Sequence, residues 1–112
     1  MEKAILILVL LASNISTSQE ISKEQLDEYL KIETIGGKLD FELNMKADER
    51  PFYLYDRVMY NRKDFGIFLW GAAVKKLGIN SHKKAIELWE EIKERKLSKP
   101  EKKALIKGYK TK

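Results

Sequence analysis

The eighteen residues NRKDFGIFLWGAAVKKLG, Asn61 to Gly78, decide the fold of this chain. Asn61 can cap a helix with Asp64 three positions on, and Phe65, Phe68, Leu69, Ala72, Ala73 and Leu77 then share one helical face. Gly78 supplies the stop, and Ile79 the hydrophobic contact that accompanies it. Working outward towards the C-terminus, Ser81 predicts the start of a third helix. Its apolar side carries Ala85, Ile86, Trp89 and Ile92, and its solvent side Glu87, Glu90, Glu91 and Glu94. Those glutamates stand at ion-pairing distance from Lys83, Lys84 and Lys93 to Arg95 along one helix, which reads as a solvated face. Ser98, Pro100 and Glu101 form a further capping arrangement before a helix with Ala104, Leu105 and Tyr109 on its apolar side.

Working towards the N-terminus, Ser22 and Gln25 have capping-box spacing, and Ile21 and Leu26 occupy the two positions of a hydrophobic staple. A helix over about Lys23 to Glu33 follows, and Gly36-Gly37 breaks it. Beyond the glycines the period becomes two. Leu39, Phe41, Leu43 and Met45 alternate with polar neighbours, the pattern of a half-buried strand, and Phe52 to Tyr60 reads as one or two more strands around an Asp56-Arg57 turn. The prediction is an α+β domain, mostly helical, with one small antiparallel sheet or hairpin within residues 38 to 60. Its core is expected around Phe65, Phe68, Leu69 and Trp89.

The 112 residues leave room for one domain, residues 19 to 112, because Met1 to Ser18 has the layout of a Sec-type signal peptide. Lys3 precedes an apolar run from Ala4 to Ala12, which is short of the roughly 20 residues a membrane span needs. Export to the periplasm or beyond is expected, with cleavage near Ser18. There is no cysteine, so neither lipidation nor a disulfide is available. With His82 as the only histidine, the usual zinc spacings and a Cys-His nucleophile pair are excluded, and no metal or cofactor is expected.

The net charge of +5 hides a division. Gln19 to Asp56 carries ten acidic residues against five basic ones, whereas Arg57 to Lys112 carries six against sixteen. An anion belongs on the second half. Lysines crowd the last twenty residues, and Lys99, Lys102, Lys103 and Lys107, with Tyr109 among them, are the candidate anion-binding set. Lysine dominates over arginine there, which suits general attraction to nucleic acid or an anionic membrane rather than base reading.

Catalytic candidates are few. His82 falls in the first turn of the third helix, where the dipole favours a neutral imidazole. It is either a general base for phosphodiester cleavage or a solvated helix-start residue. Asp64 is a cap partner and the second candidate; Asp64-Phe65-Gly66 spells a protein-kinase triplet, but the rest of that motif set is missing.

The block DFGIFLWGAAVKKLG resembles the corresponding stretch of the polymorphic toxin type 44 domains, and KPEKKALIKGYK, Lys99 to Lys110, is similar to their ending. The resemblance covers about Tyr53 to Lys110. Ile67 stands where that family has an asparagine, and Lys102-Lys103 where it has acidic and glutamine residues. The resemblance implies an exported toxin-like protein, intact or degenerate, acting between bacteria or on a host. Asp64, Trp70, His82 and Tyr109 are then the residues to test, and an immunity protein or a target-cell component the partner. The alternative is a non-enzymatic exported binding module with a basic C-terminal face.

Overall fold

A computed structural model describes residues 22–111, so the signal-peptide expectation for Met1 to Ser18 lies outside the described residues. Five helices and one hairpin follow in chain order: α1 (Lys23–Thr34), α2 (Phe41–Asn44), β1 (Tyr53–Tyr55), β2 (Val58–Tyr60), α3 (Arg62–Lys76), α4 (His82–Lys93) and α5 (Lys99–Lys110). The α+β expectation, mostly helical with one small antiparallel sheet, holds.

Local chemistry sets most boundaries. Ser22 and Ser98 each complete a capping box with Gln25 and Glu101, while Asn61 and Ser81 accept the backbone N–H of Asp64 and Lys84. At the end of α3, Gly78 has φ +106°. The Ile79 N–H donates to the Val74 carbonyl at 3.0 Å and the Gly78 N–H to Lys75 at 3.1 Å, the paired bonds of a Schellman stop.

The strand expected from the Leu39–Met45 alternation is instead a turn followed by α2. Residues four apart satisfy a period of two and a helical face equally, so Phe41 and Met45 fit both patterns. Polar groups decide between them. Asp40 caps α2 by accepting the Leu43 N–H, and its other oxygen takes the Gly36 N–H at 2.7 Å. The Glu33 carboxylate accepts the Lys38 N–H at 2.9 Å. With these donors taken, no partner strand is required, and the sheet is confined to the hairpin of β1 and β2, paired Tyr53 to Tyr60, Leu54 to Met59 and Tyr55 to Val58. Its two turn residues, Asp56 and Arg57, have φ 50° and 65°, the left-handed pair that a two-residue hairpin loop needs.

α3 is the central helix, buried on two faces rather than one. Ile67, Trp70 and Val74 enter the main core with Leu30, Leu88, Trp89, Ile92, Leu97 and Leu105. Phe65, Phe68 and Leu69 form a smaller cluster with Tyr60 and Ala104. The expected face therefore describes mainly the hairpin side of α3; Ala73 packs on the main core instead, Leu77 is exposed, and Trp89 belongs to the main core as well. Stacked rings run from Tyr53 to Phe65 at 5.0 Å and on to Phe68 at 5.5 Å. They fasten the hairpin to α3.

α5 crosses α3 with its start beside the start of α3 and its end beside the end: Lys63 meets Glu101 and Lys75 meets Tyr109. α4 links them in the chain and packs into the core they share. The α3–α5 approach is close because it is made through glycines. A β-carbon at Gly71 would press on the Leu105 carbonyl, and one at Gly108 on the Phe68 carbonyl.

Candidate anion-binding face

The packing of α5 on α3 determines which lysines can cooperate. Glu101, Ala104, Leu105 and Gly108 form the buried side of α5. The opposite side therefore carries Lys103 and Lys107, four residues apart, and Lys110 almost one turn beyond. These three, with Ile106, Thr111 and Asp56 from the hairpin turn, line an open cleft of about 410 Å³. The left-handed turn at Asp56-Arg57 brings the hairpin tip over this end of α5, and the Thr111 hydroxyl bonds the Tyr55 hydroxyl at 3.3 Å. Three lysines and one aspartate thus line the cleft.

The expected anion-binding set separates into parts. Lys103 and Lys107 lie in the cleft; Lys99 and Lys102 are exposed and do not line it; Lys110 joins it from outside the expected set. Tyr109 points elsewhere. Its hydroxyl donates to the Ile79 carbonyl at 2.6 Å and its ring lies under the Lys75 ammonium at 5.5 Å, so it clamps α5 to the α3–α4 connection.

The two catalytic candidates stand at opposite ends of α3. Asp64 lies in the first turn, half-buried; burial raises its carboxyl pKa and Glu101 adds to that, while Lys63 opposes it. His82 opens α4 beyond the far end, its ring edge-on to Tyr109 at 6.2 Å. The stretch of α3 from Asp64 to Lys76 alone rises about 18 Å, so the two side chains share no reacting centre. Trp70 is a core residue whose indole N–H donates to the Thr34 hydroxyl at 3.0 Å.

Glu101, a cap partner in the sequence, is also a buried charge. Its side chain is 1% exposed and is held bidentately by Arg95 at 2.9 Å and 2.9 Å, with Lys63 at 3.4 Å and the Ser98 N–H at 2.8 Å. The Arg95 fork lowers its pKa to about 2, against the opposing effect of burial. Arg95 also stacks over Trp89 at 4.7 Å. The Ser98–Glu101 capping spacing was visible in the sequence, but nothing there indicates that Arg95 would reach back across the loop.

A second depression, about 230 Å³, is lined by Trp70 and Trp89 and by Asp40, Glu42, Lys63, Lys93 and Arg95. Lys63 and Arg95 already serve Glu101 and the acidic pair offsets much of the remainder, so it offers an anion no excess charge. Among the described residues, no group of three His, Cys, Asp or Glu could hold a metal ion, and no helix is long and apolar enough to cross a membrane. No family model, curated protein or solved structure matches the chain.

Proposed function

We propose that this chain is a non-enzymatic binding module for polyanions, acting outside the cytoplasm, with the Lys103–Lys107–Lys110 side of α5 as its contact face. One observation carries the reading: three lysines line a single open cleft with only one acidic residue, at the hairpin tip. Lys107 and Lys110 also complement the C-terminal dipole of α5, but Lys103, in mid-helix, has no such structural use. Attraction through lysines asks for dense negative charge and little sequence preference.

Titrating the protein with a duplex oligonucleotide across salt tests this. Three lysine-phosphate contacts give a fall of log K against log salt with a slope of roughly −3, reduced by about 1 for each lysine replaced. Binding that is absent at low salt, or indifferent to salt, overturns the proposal.

A second reading, the exported toxin-like enzyme, draws on one local feature, the raised pKa of Asp64 beside Glu101, together with the family resemblance. Producing the chain without residues 1 to 18 inside a bacterium tests it. Normal growth with abundant folded protein argues against toxicity, whereas arrest relieved by Asp64→Asn supports it.

A further inference from the structure

We infer that the polyanion is an anionic lipid surface, and that the β1–β2 hairpin enters its outer layer while the α5 lysines hold the headgroups. The inference rests on the polyanion reading above and adds a partner to it. The two strands present opposite characters on their two faces. Tyr53 and Tyr60 turn inward and are 4% and 7% exposed, whereas Leu54 and Met59, paired across the strands, are 71% and 64% exposed. Phe52, just before β1, is 57% exposed. An apolar cross-strand pair open to water on a two-stranded hairpin has no use in the core.

The charge beside it identifies the partner. Asp56 of the hairpin turn lines the lysine cleft, and Arg57 follows it in the exposed turn, so the cationic cleft lies at the tip of the hairpin whose outer face carries Leu54 and Met59. Apolar side chains beside lysine and arginine match a bilayer of negative headgroups over hydrocarbon. Nucleic acid fits less well. It would gain from a row of aromatic platforms; Phe52 and Tyr55 are exposed, but the exposed cross-strand pair Leu54–Met59 is aliphatic and Tyr53 and Tyr60 are turned into the aromatic cluster.

The test uses the full chain, so that every variant carries the same N-terminus and only differences are read. Two probes are compared: vesicles of equal parts phosphatidylcholine and phosphatidylglycerol, and a duplex oligonucleotide. L54S/M59S should weaken vesicle partition by roughly tenfold or more and leave oligonucleotide binding unchanged. Replacing Lys103 or Lys107 by Gln should weaken vesicle binding about fivefold each. Leu54→Trp should shift its emission to the blue on these vesicles and not on pure phosphatidylcholine; the native Trp70 and Trp89 are buried and give a constant background. This second variant keeps the test open should L54S/M59S fold poorly.

If the lysine variants weaken both probes while L54S/M59S changes neither and Leu54→Trp stays red, the polyanion reading stands and hairpin insertion is overturned. If the lysine variants change nothing, the polyanion reading itself fails. If L54S/M59S acts only by dissociating a dimer in sedimentation, the hairpin face belongs to a second copy and the lipid inference is overturned.

Discussion

Glu101→Gln isolates the electrostatic link between the end of α4 and the start of α5. The carboxylate is buried and its pKa is lowered from 4.5 to about 2, chiefly by the Arg95 fork. A folded-state pKa below the unfolded value means stability that is fully present above the unfolded pKa and is lost as pH falls through the folded one. A displacement of that size corresponds to about 3 kcal/mol, lost between about pH 5 and pH 2. Asp48 is also lowered to about 2 by Arg50, and Glu90 is lowered by the Leu97 N–H, so the wild-type curve alone mixes several groups. The difference between wild type and Glu101→Gln removes the others. Urea unfolding at intervals from pH 7 to pH 2 should show the variant weaker by about 2–3 kcal/mol at pH 7, converging on the wild type near pH 2. Parallel curves over that range would refute the assignment of the link to an ionised, fork-held carboxylate.

Arg95→Ala should be at least as damaging at pH 7, by about 3 kcal/mol, because it leaves the buried Glu101 carboxylate with only the Lys63 ammonium to offset its charge and the Ser98 N–H as a donor; the same urea titration checks it. Gly108→Ala sets a methyl group against the Phe68 carbonyl and should lower the unfolding free energy by about 3 kcal/mol, visible as a drop in Tm; an unchanged Tm would mean that α3 and α5 can separate freely. Tyr109→Phe should cost about 1 kcal/mol through the lost Ile79 bond while leaving oligonucleotide binding intact, which separates the clamp from the lysine cleft. Asp40→Ala removes the cap of α2 and the acceptor for Gly36, costing about 1–2 kcal/mol in thermal unfolding.

What the sequence disclosed was local. Ser22, Asn61, Ser81 and Ser98 cap the helices they were expected to cap, because a side chain reaching three residues along the chain needs no knowledge of the fold. Gly78 and Ile79 likewise carry their stop signal in adjacent positions. The failures arise where two periods coincide or where distant elements choose. Phe41 and Met45 fit strand and helix alike until Asp40 and Glu33 satisfy the backbone. The second buried face of α3 depends on α1 and α4 arriving on the other side of Trp70, which no stripe along α3 alone announces.

The candidate site was legible in charge but not in shape. A lysine-rich end was plain, yet only the hairpin turn selects Lys103, Lys107 and Lys110 as one group and leaves Lys99 and Lys102 outside. Glu101 reads in the sequence as a cap partner, and its burial depends on Arg95 folding onto it from six residues before.

The Thr34–Trp70 bond joins residues 36 positions apart, whereas α3, α4 and α5 follow one another with short connections. The three later helices can therefore assemble from near neighbours, and α1 must close a long loop to reach them. Native-state hydrogen exchange should accordingly separate the chain into two opening units, with the amides of α1 and α2 exchanging before those of α3 and α5. Each such opening uncovers the Trp70 indole, so the emission of one core residue reports how often the N-terminal part lifts away.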